Sequence, residues 1–311
     1  MGIASTGARL RDRAAAYATL LRLPNLFTAP PDILLGAVLV GFGTASSGVA
    51  VPIEHVASLS VVSMVLYGAG TTLNDYADLS IDAVERPERP IPSQAVSPQA
   101  ALSFGIGLLV AATAVAYVLV SPTAMVVTVL LGGTIILYDF HLKGTALGFG
   151  AMGLSRGLNV VLGMTAISGP GFSATLLLVP VVISGYIGTV TWMAADEMAG
   201  GSRRRILITR TVTVGVALAV VLFGVILQAP PVRLGATVVL LLGFLVVTNN
   251  QLRIAYQSQT PATVGTAVGS CVLWLVVVDM AIIALLSLRV AALTSGFFLA
   301  AKLLSGRFDI S

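Results

Sequence analysis

The chain has 311 residues, 57% of them hydrophobic and only 10% charged, with a formal net charge of +4 and a mean hydropathy of +0.98. A soluble domain carries roughly 25% charged residues, so this composition excludes a globule with a water-facing surface. No nucleic-acid module or soluble second domain is visible, and the single Cys271 excludes an internal disulfide.

The apolar runs are long and rarely interrupted by charge, which predicts membrane-spanning helices. In hydrocarbon each helix satisfies its own backbone groups, and the short alternating segments of a barrel are absent. Arg9, Arg11, Arg13 and Arg22 precede the first span without a short apolar core and cleavage site, so no cleavable signal peptide is expected. Spans of about 20 residues each are predicted at 25–43, 56–76, 98–120, 122–139, 146–167, 174–196, 207–228, 232–250 and 264–288. Pro24, Pro30 and Pro31 make the first start irregularly, and Pro122, Pro170 and the Pro230–Pro231 pair mark tight turns. The expectation is one all-α membrane domain over 1–311: an N-terminal segment (1–24), nine helices (25–288) around a central apolar cavity, and an amphipathic tail (289–311) along the membrane surface.

Nine spans place the N-terminus and the loops near 77–97, 140–145, 197–206 and 251–263 on one face. That face carries Arg86, Arg89, Lys143, Arg203, Arg204, Arg205 and Arg253, whereas Arg233, Arg289, Lys302 and Arg307 fall on the other. Positive residues mark the cytoplasmic side, so the first face is expected to be cytoplasmic, at the cell membrane. Most of the acids gather there too.

The most informative stretch follows the second span: Asn74-Asp75-Tyr76-Ala77-Asp78-Leu79-Ser80-Ile81-Asp82, then Glu85-Arg86-Pro87-Glu88-Arg89-Pro90-Ile91-Pro92. Asn74, Asp78 and Asp82 recur every four residues and stack on one helix face. Like charges at that spacing repel unless a cation binds between them. Hard oxygens suit Mg²⁺, which takes one or two carboxylates, keeps some water and holds substrate phosphates. Arg86 and Arg89 offer guanidinium forks matched to phosphate oxygens, on a loop stiffened by prolines.

These residues resemble the first aspartate motif of the UbiA prenyltransferase superfamily, and the resemblance runs from Arg22-Leu23-Pro24-Asn25 through all nine spans. It implies an enzyme that binds an isoprenyl diphosphate through Mg²⁺ held by two Asp-rich motifs, one after the second span and one after the sixth. Asn74, Asp78 and Asp82 would then be metal-site residues, Asp78 and Asp82 serving catalysis, with Arg86 and Arg89 near the diphosphate.

The family commonly has a Tyr and a Lys after the fourth span, and Tyr138-Asp139-Phe140-His141-Leu142-Lys143 resembles that element. Tyr138 and Lys143 are therefore expected at the diphosphate, Lys143 with a catalytic role; a positive anchor at a helix end is the plainer reading of Lys143. Arg156 and Asn159 fall inside the fifth span, where polar groups are expensive and face the protein interior or a wet cavity. Two readings stand: cavity-lining, with Asn159 at the diphosphate, or a structural pair bonding neighbouring helices.

Asp196 and Glu197 stand where the second motif belongs, as further metal-site candidates, but Gly200 occupies the place of the repeated Asp. Adjacent side chains on a helix point about 100° apart, so they do not replace a stacked pair. Arg203, Arg204 and Arg205 suit diphosphate, Arg203 foremost, or anionic lipid heads; a topology anchor explains them equally well. Asp32 carries no assigned role, and Asp279 is a candidate partner for Arg156. The glycines Gly132-Gly133 and Gly148-x-Gly150-x-x-Gly153 read as close-packing positions.

The resemblance thus implies Mg²⁺-dependent transfer of a prenyl group from its diphosphate to an aromatic or lipid acceptor in the membrane. The rival class is a UbiA-like carrier or lipid-handling protein. The Glu197-x-x-Gly200-Gly201-Ser202-Arg203 cluster is similar to EboC-like relatives, which favours that rival.

Overall fold

The computed structural model describes residues 13–43, 50–167 and 175–305, and every regular element among them is helical. Arg9, Arg11, Pro170 and Arg307 lie outside the described residues. The chain enters through α1 (residues 13–20) and the single turn α2 (Leu23–Leu26), with Arg22 between them in the left-handed region at φ 47°. α3 (Pro30–Gly43) follows after a short break. The first span is irregular for the reason its prolines predict: Pro lacks a backbone donor and cannot extend a preceding helix freely.

Next come α4 (Ile53–Ala77), α5 (Leu79–Glu85), α6 (Pro98–Leu119) and α7 (Pro122–Leu137), then a π-helical turn at Tyr138–Leu142. α8 (Ala146–Met164) and α9 (Leu178–Ala194) lead to a 3-10 turn at Glu197–Ala199. α10 (Arg203–Ile226), α11 (Pro231–Ser258), α12 (Pro261–Leu286) and α13 (Leu288–Ser305) complete the order. The starts are written locally. Ser97-Pro98, Ser121-Pro122 and Thr260-Pro261 each put a hydroxyl at the N-cap and Pro at the first helical position, and each hydroxyl accepts a backbone N–H three residues on.

Seven helical segments among the described residues are long and apolar enough to cross a membrane: Leu23–Gly43, α4, α6, α7 with its π turn, α10, α11 and α12. The chain is thus a multi-pass membrane protein. The two remaining predicted spans correspond to α8, which carries Arg156, Asn159 and five glycines, and to α9, which has only 17 residues. α13 turns back along α12, bringing the rings of Trp274 and Phe298 to 5.5 Å, and it packs on α2 and α3.

Packing follows membrane rules, in which close van der Waals contact replaces the hydrophobic drive. α12 is buried on every side from Leu275 to Leu286. A Cβ at Gly36 or Gly163 would collide with the facing backbone across the α3–α8 contact, and one at Gly153 or Gly157 would collide with α9. Gly148 is equally tight against Leu142, whereas Gly133 and Gly150 face open space. On the outside, Val110, Val118, Leu222, Val239 and Val246 are exposed, as lipid-facing positions should be.

Candidate active site

One cavity of about 540 Å³ opens between α4, α7, α8, α9 and α12. Its body is apolar, with Leu66, Leu131, Ile135, Ile187 and Val272 among its walls, and its mouth is ringed by charge.

The mouth is built where α4 hands over to α5. The i→i+4 backbone ladder continues through the junction, from Asp78 N–H to Asn74 C=O and from Asp82 N–H to Asp78 C=O, each 2.9 Å. Asn74 and Asp78 sit about 40° apart around this axis and both line the cavity. Asp82 lies about 80° from Asn74 but only about 20° from Asp75, so it shares the other face. There Arg89 bridges the two, 2.7 Å to Asp82 and 3.2 Å to Asp75, and Arg22 adds a 3.0 Å bond to Asp75. All three predicted motif positions are present, but their side chains part into two groups.

The π turn supplies the opposite lip. Its wide ring, closed by Lys143 N–H to Tyr138 C=O at 2.9 Å, aims Tyr138, Asp139 and Lys143 at the cavity together. Such turns recur at functional sites. Lys143 forms an ion pair with Asp78, and Asn74 donates its amide to Asp139 at 2.9 Å. Every cation here already has a carboxylate partner or a neighbouring one, so an incoming diphosphate exchanges one set of pairs for another.

The far wall carries Glu197. Burial pushes its carboxyl above the ordinary Glu value of 4.5, while the Arg86 guanidinium pulls it back down. Asp196 does not line the cavity; its carboxylate meets Arg205 at 3.1 Å. Between these acids and α10 the chain turns through Gly200 (φ 84°) and Gly201 (φ 76°), a left-handed conformation suited to glycine. A Cβ at Gly200 would also collide with the Gln259 carbonyl. An Asp four residues after Asp196 is therefore incompatible with this turn.

The deep end is polar again. Ser63 donates to the Asn159 carbonyl at 2.7 Å, and the Asn159 amide donates to Ala29 C=O at 3.0 Å and Asp32 at 2.8 Å. Arg156 pairs with Asp32 at 2.8 Å and donates to Thr28 C=O. Asp279 is fully buried beside Asp32. Arg156 and Asn159 thus line the cavity and also tie helices together; its direct partner is Asp32, with Asp279 next in line.

Of the predicted site residues, Asn74, Asp78, Arg86, Arg89, Tyr138, Lys143, Asn159 and Glu197 come together around this cavity. Asp82, Asp196 and Arg203 do not; Arg203 stacks over Tyr256 at 5.5 Å. Sequence reasoning missed Arg22 and Asp139, both lining residues. Each stood inside a quoted motif, but neither could be told from a topology anchor or a helix-end acid without its partner.

The donor set suits a hard cation: the Asp78 and Glu197 carboxylates and the Asn74 amide oxygen. Among the described residues no three acids, histidines or cysteines stand close enough to hold a metal alone. Mg²⁺ commonly takes one or two protein carboxylates and completes its shell with water and substrate phosphate.

Comparison with known proteins agrees with the fold and the motif. The matched regions cover about half the length of two curated relatives, both digeranylgeranylglyceryl phosphate synthases. The Methanopyrus kandleri protein is 33% identical over 132 residues, 42% of this chain and 45% of the relative. The Methanococcoides burtonii protein is 31% identical over 166 residues, 52% and 58%. In fold, the chain is similar to a UbiA homolog from Archaeoglobus fulgidus solved with GPP and Mg²⁺ (TM-score 0.60, 14% identity, 92% and 99% covered). A second, from Aeropyrum pernix K1, has a TM-score of 0.58 at 15% identity, with 78% and 96% covered. The family model for the UbiA prenyltransferase family matches residues 34–262, well over half of the sequence. The chain belongs to the UbiA prenyltransferase family.

Proposed function

We propose that the protein is a Mg²⁺-dependent prenyltransferase that moves an isoprenyl group from its diphosphate to a lipid acceptor. The observation that carries this reading is a cavity with a charged mouth and an apolar body, shaped for a molecule with a diphosphate head and a hydrocarbon tail. Relatives named as digeranylgeranylglyceryl phosphate synthases favour a lipid over an aromatic acceptor, and a fold neighbour was solved with GPP and Mg²⁺. α8 and α9 would complete nine crossings, with the mouth on the cytoplasmic side by the charge bias of the loops.

Asp78, Asn74 and Glu197 would hold Mg²⁺, and the bound ion neutralises charge that develops on a departing diphosphate. Arg86 and Arg89 present planar forks to the phosphate oxygens, and Lys143 adds a compact point charge that leaves Asp78 as the diphosphate arrives. Tyr138 borders the same lip. Asp82 acts one step back, holding Arg89 in place. The apolar walls seat the prenyl chain and exclude the water that would quench a carbocation.

The test is transfer by purified protein in lipid, with labelled prenyl diphosphates, a panel of lipid and aromatic acceptors, and Mg²⁺. The Asp78→Ala/Asp82→Ala variant and an EDTA control run beside it. Metal-dependent product that vanishes in the variant is expected. Substrate flux across the membrane that survives removal of both acids would instead favour the carrier reading, which the Gly200 turn and the Asp196–Arg205 pair support.

A further inference from the structure

The outer face of the α10–α11 pair carries a charge pattern that the transfer chemistry does not use. The sequence holds no Asp or Glu between Glu197 and Asp279, yet Arg203, Arg204, Arg205, Arg210 and Arg253 fall in that stretch. Arg205 meets Asp196; among the described residues Arg203, Arg210 and Arg253 have no carboxylate partner. They are exposed, and no residue of α10 or α11 lines the cavity.

Helical spacing gathers them into two facing strips. On α10, Arg203, Leu207, Arg210 and Val214 share one side, and on α11 so do Leu242, Val246, Asn249, Arg253 and Tyr256. Contacts across the pair join the strips: Arg203 stacks over Tyr256 at 5.5 Å, and Arg210 Nε–H donates to the Asn249 carbonyl at 3.0 Å. Arg253 lies between these two contacts along α11. Beyond Asn249 the strips turn apolar, with Val214, Leu242 and Val246 exposed.

Depth separates this arrangement from a topology anchor. Arg233 and Arg253 stand 20 positions apart on α11, about 30 Å at 1.5 Å per residue, which is the thickness of a hydrocarbon core. Asn249 then lies about one turn inside that boundary, with Arg210 beside it. An anchoring arginine extends its head outward to water, whereas Asn249 holds the Arg210 head inward. Among the described residues no acceptor meets its terminal nitrogens. A lipid-facing cation at that depth is expensive without an anion beside it.

We propose that the Arg203–Arg210–Arg253 strip binds one anionic phospholipid, its phosphate on the guanidinium forks and its chains along Val214, Leu242 and Val246. Guanidinium forks match phosphate oxygens, and the order from charged to apolar along the strip is the order of a lipid. The site stands apart from the cavity and does not depend on the prenyl-diphosphate reading.

The experiment is native mass spectrometry of the full chain released from nanodiscs holding phosphatidylglycerol and phosphatidylcholine at equal mole fraction. At about fivefold per arginine near the surface, two phosphate-facing arginines should retain phosphatidylglycerol about twentyfold over phosphatidylcholine. The Arg210→Gln/Arg253→Gln variant should bring the two lipids within about twofold. An Arg13→Gln/Arg204→Gln variant, which removes equal charge outside the strip, should keep at least about tenfold. Equal retention of both lipids by the unmodified protein overturns the site. Equal losses in the two variants overturn it too, because they mean diffuse attraction to net charge. Displacement of the lipid by millimolar inorganic phosphate would make it a small-anion site and overturn the lipid assignment. If the first variant does not fold, Arg253→Gln alone decides, with about a fivefold loss expected and no loss counting against the site.

Discussion

The two acidic stretches of this chain, 74–89 and 196–205, begin from similar ingredients and end differently. The first spaces its polar groups by four residues along a nearly continuous helix, so Asn74 and Asp78 reach the cavity side by side. The second has two adjacent acids at a helix end, followed by a glycine turn. Its carboxylates diverge, Glu197 into the cavity and Asp196 onto Arg205. Even the first stretch is divided, because seven-residue spacing returns to the same face and hands Asp82, with Asp75, to Arg89. Composition makes a site acidic, but angular spacing decides which acids face the ligand.

The comparison can be broken most directly at Arg89. Arg89→Met strips Asp82 of its ion-pair partner in a buried setting, which should cost about 3 kcal/mol of stability, read as a lowered thermal midpoint in detergent. Unchanged stability would mean the Asp75–Arg89–Asp82 bridge is not structural. Next in size is Asp78→Asn, expected to slow Mg²⁺-dependent transfer about a hundredfold while leaving the fold intact. Glu197→Gln should cost about tenfold in the same assay, with a raised Mg²⁺ requirement, if the far wall contributes one carboxylate. The smallest effect belongs to Asp196→Asn, which should stay within about twofold, because a partly exposed pair with Arg205, outside the cavity lining, contributes little. A loss at Asp196 as large as at Glu197 would show that the second stretch acts as a pair after all.

Much of the mouth was legible from sequence because it is local. Asn74, Asp78, Arg86 and Arg89 lie within sixteen residues, and Tyr138 and Lys143 within six. Helical spacing and charge type were enough to nominate them. Asp139 was not legible: its place depends on a π turn that no periodicity announces. Arg22 read as one more positive residue before the first span until Asp75, 53 positions away, stood opposite. Arg203 was nominated by charge and lies instead against Tyr256.

The sequence by itself determined the helical membrane class, the apolar segments, the proline-marked starts and the existence of an acidic stretch at helical spacing. Those are set by local transfer energies and by a period of 3.6 residues. Tertiary structure alone decided which carboxylates face the cavity, which cation each one meets, and that Asp32, Arg156 and Asp279 come together from three separate helices. Charge pairing acts over a few ångströms, and residues separated by more than a hundred positions come that close only when the bundle has packed.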